Sequence, residues 1–440
     1  MKRRTYLSMV GAATGSLAGC VTSTSREALN AEHSATRKAR TDAETAGTAK
    51  TTTETTEQVN QVTLERNFQS IRSRAGDLLT DFEDAPDEWT EVAGTVSVED
   101  TTSHSGTNSL ELKVGYSTDQ AIARYTFDQP RDFSQRSFSA AVKWETFSSP
   151  YAELWLQLRD ADGDGLLLSQ VVEWTTLDEW HRFDLGVKAV DGDPDTSAIV
   201  ELDIATWAGE GTSRVWVDDI RTTERTGEGS VILTFDDARS SVHSVAYPLM
   251  QEYGYPGAAG VIVHAVGKPG QLDQQQMDEL ASDGWEMCSH PQFGHKPLTK
   301  FDEAELRETL ASYREWLLAH GFERGADCII YPYGKIGDVG LDVASNYHKL
   351  GFKVAGETPY GPKLTSPLLA GRVNGDEVQP TKSAIEKAGR YGMTVPIMYH
   401  RLGRDGGISK SDFQATLEHI ERTDNVSVIT PSEWLARHEQ

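Results

Sequence analysis

Two adjacent carboxylates, Asp236 and Asp237, end the apolar run Val231-Ile232-Leu233 within Thr234-Phe235-Asp236-Asp237. Three more reactive groups follow: His290-Pro291-Gln292-Phe293-Gly294-His295, Tyr331-Pro332-Tyr333-Gly334 and Ile397-Met398-Tyr399-His400. One carboxylate with two imidazoles is a donor set for a divalent metal, and a spare carboxylate with a third imidazole supplies a base and an acid. These are the parts for metal-assisted hydrolysis. Taken singly, each has a plainer reading: an Asp pair after a strand is usually a turn or a helix N-cap, and a lone strand-end histidine is usually structural. Side chains of consecutive residues diverge, so one aspartate can bind metal while the other faces substrate. His290 and His295 lie five residues apart, about 140° off register on a helix. Pro291 and Gly294 argue instead for an irregular loop, which can converge both rings on one ion.

The elements that must position these groups alternate from Ser230 onward. Strand candidates are Val231–Phe235, Gly260–His264, Trp285–Cys288, Cys328–Tyr331, Lys353–Gly356, Leu368–Val373, Thr394–Tyr399 and Val426–Ile429, with amphipathic segments such as Asp302–His320 and Asp412–Arg422 between them. Repeated β-α units predict a parallel barrel, whose chemistry collects at the C-terminal ends of its strands. Asp236, Asp237, His290, Tyr333 and His400 each closely follow a strand candidate.

From about Asp77 to Thr223 the pattern changes to short alternating runs, among them Ser109-Leu110-Glu111-Leu112-Lys113-Val114 and Glu153-Leu154-Trp155-Leu156-Gln157-Leu158. Period-two alternation without helical stretches predicts an antiparallel β-sandwich. Asp81-Phe82-Glu83, His104-Ser105-Gly106-Thr107-Asn108 and Val217-Asp218-Asp219-Ile220 resemble jelly-roll carbohydrate-binding modules. That resemblance implies a structural Ca²⁺ at Glu83 and Asp219. Trp144, Trp155, Trp174, Trp180 and Trp207 offer either a sugar-stacking platform or, as is more usual on alternating strands, core. Asp160-Ala161-Asp162-Gly163-Asp164-Gly165 lacks the bidentate glutamate of a calcium loop and reads as an acidic hairpin turn.

The chain has 440 residues, enough for two or three domains. Lys plus Arg is 42 against 67 Asp plus Glu, a net charge of −25. Such a surface repels nucleic acid and anionic lipid, which argues against both as partners. Dispersed acidity of this size suits a halophilic protein, whose self-repulsion salt screens. Lys2-Arg3-Arg4, the apolar Tyr6–Leu17 and Leu17-Ala18-Gly19-Cys20 resemble a twin-arginine lipoprotein signal, which implies lipidation of Cys20 and an anchor on the outer face of the cell membrane. Residues 21–75, rich in Thr and poor in large apolar side chains, read as a disordered stalk. Cys288 and Cys328 lie in separate apolar runs, to pair if their strands are neighbours or to stay as buried thiols.

Residues from about 230 to 434 resemble the NodB-homology polysaccharide deacetylases, carbohydrate esterase family four. The resemblance is carried by Thr-Phe-Asp-Asp at 234–237, Ser-His…His-Lys-Pro-Leu-Thr at 289–299, Tyr-Pro-Tyr-Gly at 331–334 and Ile-Met-Tyr-His at 397–400. It implies a distorted (β/α) barrel over 228–440, after a jelly-roll sandwich over 76–225. It implies Asp236 as general base, Asp237, His290 and His295 as ligands of a divalent metal, most often Zn²⁺, and His400 as general acid. It further implies the Tyr333 backbone N–H as oxyanion donor and Arg372 as the arginine that orients the base. Four residues separate His290 from His295 where the family usually has three, and Ile330 stands where a family arginine is common; Asp376 is the candidate partner of the acid. The implied reaction is removal of N-acetyl groups from a hexosamine-containing polysaccharide. O-acetyl removal and a non-catalytic glycan-binding lipoprotein are the alternatives.

Overall fold

The computed structural model describes residues 76–439 except 85–87, 148–150, 174–178, 209–210, 226, 355–359, 362–363 and 404–406. The signal, Cys20 and stalk expected over residues 1–75 lie outside the described residues, as does Trp174. The chain divides into two compact units, Met1–Gln58 and Val59–Gln440, and every described residue belongs to the second.

Eleven antiparallel strands come first: β1 (Asp77–Thr80), β2 (Thr90–Ala93), β3 (Thr95–Glu99), β4 (Ser109–Val114), β5 (Gln120–Arg131), β6 (Arg136–Phe147), β7 (Tyr151–Asp160), β8 (Gly165–Glu173), β9 (His181–Asp191), β10 (Ile199–Trp207) and β11 (Ser213–Glu224). They pair in the order β2-β5-β10-β7-β8-β9-β6-β11-β4-β3, with β1 on β11. β9 changes partners midway: His181–Leu185 pair with β6, and residues from Gly186 pair with β8. One strand thus joins two layers, and both contribute to a single apolar core. Leu154, Leu156 and Leu158 are fully buried while the alternating Trp155, Gln157 and Arg159 are not. Burying each leucine contributes about 2 kcal/mol.

Trp144 belongs to that core, edge-on to Phe183. Trp155, Trp180 and Trp207 are half-buried. Asp160 caps its hairpin, accepting the Asp162 and Asp164 amides at 3.0 Å each. The two carboxylates expected at a structural Ca²⁺ have these partners in the structure. Asp219 pairs with Arg182 and, at 2.7 Å, with Arg221. Glu83 instead accepts the amides of Thr107 and Asn108 at 2.5 and 2.6 Å.

The second part is built on eight parallel strands: β12 (Gly229–Phe235), β13 (Ala258–Val261), β14 (Glu286–Ser289), β15 (Cys328–Ile330), β16 (Leu350–Phe352), β17 (Val373–Asn374), β18 (Thr394–Tyr399) and β19 (Val426–Val428). Their order is β16-β15-β14-β13-β12-β18-β17, with β19 beside β12. A parallel bridge between Phe352 and Ala370 links β16 to the segment entering β17, so the ring closes irregularly. β12 is buried along its whole length. Val231, Leu233 and Phe235 enter one apolar cluster and Ile232 another, which is why this strand reads as a continuous apolar run.

The segment expected as a strand over Leu368–Val373 begins in a short 3₁₀ turn, Pro367–Leu369, passes the bridge at Ala370 and only then enters β17. In place of a strand from Lys353, the chain forms β16 just before it, over Leu350–Phe352. The amphipathic segment at 302–320 is the helix α1 (Glu303–Ala319), whose N-cap Asp302 forms a capping box with Glu305. Cys288 and Cys328 sit on neighbouring strands in matching register, as buried free thiols.

Only four residues separate β11 from β12, and the two parts pack closely. Buried Arg225 in that junction donates to Ser134 O at 2.7 Å on the sandwich and to Tyr391 O at 3.2 Å on the barrel. Buried Asp184 of β9 accepts the amides of Thr365 and Ser366, each at 2.9 Å.

Candidate active site

Strand β12 delivers Asp236 and Asp237 into a tight turn rather than a helix. Asp237 and Ala238 take left-handed backbone, φ 66° and 45°, a conformation costly for residues with a Cβ and concentrated at functional sites. Their carboxylates diverge and take different partners.

Asp236 is buried and held by Arg372 through two bonds, Nη1 to Oδ1 at 2.5 Å and Nη2 to Oδ2 at 2.9 Å. Arg372 Nη1 also donates to Thr234 Oγ1 at 3.0 Å, whose hydroxyl donates to Ile397 O at 2.8 Å. Burial raises the Asp236 pKa, but the charges of Arg372, His290 and His400 outweigh it and hold the carboxyl below its usual range. His400, at the end of β18, places Nε2 3.7 Å from Asp236 Oδ2 with its ring part-exposed.

Asp237 turns its Oδ2 to Arg239, at 2.8 and 3.1 Å, and its Oδ1 to His290 Nε2 at 3.5 Å. His290, just past β14, is buried, and its Nδ1 donates to Ile330 O at 2.9 Å. That bond leaves the Nε2 lone pair facing a carboxylate oxygen, an opposition that a shared cation or proton relieves. Burial disfavours a charged His290, yet Asp237 and Asp236 together raise its pKa. These two residues fit two ligands of a divalent metal.

His295 does not join them. It is exposed on the loop after β14, with Nδ1 3.4 Å from Tyr333 Oη, and among the described residues no group of three His, Cys, Asp or Glu is close enough to hold a metal. The extra residue between the histidines lengthens this loop, and Pro291 and Gly294 shape it. Of the three expected ligands, Asp237 and His290 face each other here, and His295 stands apart on its loop.

Tyr333 follows β15 in the turn Pro332–Gly334 with φ 60°. Its hydroxyl donates to Gly294 O at 2.7 Å and pins the histidine loop. Gly334 must be glycine: φ is +65°, and a Cβ would meet Val354 N at 2.3 Å. Asp376 lies exposed at the rim, where partial desolvation raises its pKa and the His400 charge opposes the rise.

Sequence reasoning missed the supports. Arg239, Thr234 and the Ile330 carbonyl each fix a site side chain, and only the first two carried a signal, adjacency to the aspartate pair. Buried His348 also went unremarked; its Nε2 is 3.0 Å from the hydroxyl of Ser289, the neighbour of His290. Burial, with Arg314 nearby, depresses its pKa from 6.5 to about 3. A depressed pKa contributes stability that is whole above 6.5 and lost as pH falls towards 3, because the unfolded chain takes up a proton the native site refuses. Urea unfolding at pH 7 and pH 4.5 is expected to show a loss of about 2 kcal/mol or more, and His348→Asn removes that part of the pH dependence.

Residues 223–355 match the family model described as polysaccharide deacetylase. Among curated relatives, YxkH of Bacillus subtilis is 26% identical over 138 residues, 31% of this chain and 48% of that protein. The poly-β-1,6-N-acetyl-D-glucosamine N-deacetylase of Staphylococcus aureus (strain MRSA252) is 27% identical over 127 residues, 26% of this chain and 43% of that protein. The chain thus spans less than half the length of these relatives. Among solved structures, the Streptococcus pyogenes deacetylase PplD in complex with acetate aligns at TM-score 0.30 and 21% identity, over 42% of this chain and 69% of its own. The family 11 carbohydrate-binding module of a Clostridium thermocellum cellulase aligns at TM-score 0.27 and 15% identity, over 34% of this chain and 94% of its own. The span that matches the polysaccharide deacetylase model includes Asp236, Asp237, His290, His295 and Tyr333 and ends before Arg372 and His400.

Proposed function

We propose that the protein is a metal-dependent hydrolase removing N-acetyl groups from a hexosamine-containing polysaccharide, exported and lipid-anchored at the cell surface. The observation that carries the reading is one buried carboxylate, Asp236, locked by Arg372 and within 3.7 Å of His400, beside the facing pair Asp237 and His290. Similarity to an N-deacetylase of poly-N-acetylglucosamine supports the substrate class. The N-terminal arginine pair and the run ending at Cys20 support the location.

Asp237 and His290 would hold the metal, with His295 as third donor from its loop. Bound there, a divalent ion such as Zn²⁺ supplies charge that polarises the acetyl carbonyl and acidifies water. Asp236 is ionised at neutral pH and fixed in direction, so it takes the proton from the attacking water. The amine leaves only once protonated, and His400, part-exposed on the same rim, gives it that proton. The Tyr333 N–H is assigned as the donor to the developing oxyanion.

The test uses the full chain in high salt with N-acetylglucosamine oligomers. Acetate release is expected with added Zn²⁺, loss of all but a few per cent with chelator, and recovery on readdition. Zinc content of the washed protein, read by elemental analysis, is expected to fall in His290→Ala. The exposure of His295 favours a second reading, a glycan-binding protein with an incomplete ligand set. Tight polymer binding with no acetate from N- or O-acetylated glycans establishes that one.

A further inference from the structure

Two buried side chains of the barrel reach out to one strand of the sandwich, and both lead back to the arginine on Asp236. Lys353, only 1% exposed, donates from Nζ to Val171 O of β8 at 2.6 Å. The Lys353 carbonyl accepts Arg372 Nε at 3.4 Å, and its amide donates to Ala370 O at 2.8 Å. Tyr360, also 1% exposed, donates from its hydroxyl to Gln170 Oε1 of β8 at 3.1 Å. The same hydroxyl accepts the amide of Gly371, the residue before Arg372, at 3.2 Å. A third contact, Asp184 on the amides of Thr365 and Ser366, fixes the segment that runs into Ala370.

We infer that the β-sandwich is part of the catalytic apparatus: through Gln170 and Val171 it positions Tyr360 and Lys353, which set the place of Arg372 and so the aim of Asp236. The segment involved leads into the shortest of the described strands. β17 has two residues, and among the described residues the closure against β16 runs through the bridge at Ala370. A strand this short holds few backbone bonds of its own, so neighbours must fix it. A module serving only to hold glycan requires no buried ammonium from the barrel on its backbone. Burying that charge is costly unless it is hydrogen-bonded, which the Val171 carbonyl provides. Lys353, Tyr360 and Gln170 are positioning residues; none touches the reacting atoms.

The inference rests on Asp236 as the base of a deacetylase, and its test separates the two. Tyr360→Phe, Gln170→Leu, their double variant and Lys353→Met are made in the full chain. Acetate release gives kcat and KM, and hydrogen–deuterium exchange follows residues 364–374. Tyr360→Phe removes one oxygen and keeps the ring, so the fold survives if Lys353→Met does not express. The expected result is a kcat lower by about 10- to 100-fold, an unchanged KM, and faster exchange over 364–374. The double variant is expected to be no worse than either single, because both break one relay. Unchanged kcat in Gln170→Leu and Tyr360→Phe, whatever the exchange shows, overturns the inference, as does a change confined to KM. Wild type that releases no acetate sinks the deacetylase reading, while exchange in Gln170→Leu still decides whether the sandwich holds this segment.

Discussion

Asp236→Asn gives a folded protein that binds its polymer and releases acetate at least about 10³-fold more slowly than wild type, the range expected for loss of a general base. The amide cannot accept a proton from water at neutral pH. Its carbonyl still accepts one Arg372 N–H, so the buried guanidinium keeps half its contact and the ring of strands holds. Because the carboxylate acts on the attacking water and not on the sugar, the loss falls on kcat and leaves KM nearly unchanged. Steady-state acetate release against oligomer concentration, with circular dichroism as the check on folding, tests this. A kcat within tenfold of wild type removes Asp236 from the role of base.

Arg372→Met has the second large effect, on stability as well as rate. Arg372 and Asp236 are both buried, and the ion pair between them is bidentate. Deleting one partner of such a pair leaves an uncompensated charge and costs about 3–5 kcal/mol. The sign for the base follows from the same pair. With Arg372 the carboxyl titrates below its usual range. Without it, burial dominates and the pKa rises, so the acid limb of the activity profile moves to higher pH. Urea unfolding of the single variants and of Asp236→Asn with Arg372→Met measures the coupling. The double variant is expected to cost less stability than the two singles summed. Strict additivity shows that the pair contributes nothing to the fold.

Much of this architecture was legible in the sequence because burial leaves a periodic trace. Alternate leucines in β7 gave the sandwich, and the unbroken apolar run of β12 gave a strand buried on both faces. The Asp pair, His290 and His400 announced themselves by chemistry at strand ends. The sequence was silent where position depends on backbone atoms or on distant neighbours. No pattern shows that Ile330 lends its carbonyl to His290, or that Arg182 and Arg221 converge on Asp219. The segment 368–373 misled because its apolar residues are buried in a 3₁₀ turn and a bridge, where they look like a strand's. His295 shows the limit of motif reading: the sequence offers a ligand type, and the loop's own contacts, here with Tyr333, decide where its ring lies.

The junction at Arg225 has a consequence for how such a protein can be rebuilt. Four residues join the sandwich to the barrel, and one is an arginine whose guanidinium is buried between carbonyls of both. Burial depresses even that guanidinium's pKa, to about 10. The sandwich is therefore not a bead on a string that shuffling can trade for another. A grafted replacement has to bring its own acceptors for Arg225, Lys353 and Tyr360 and its own carboxylate for the Thr365 and Ser366 amides. A swap that matches only glycan preference removes the Ser134, Gln170, Val171 and Asp184 partners together, and recombination at this seam selects for surfaces before it selects for sugars.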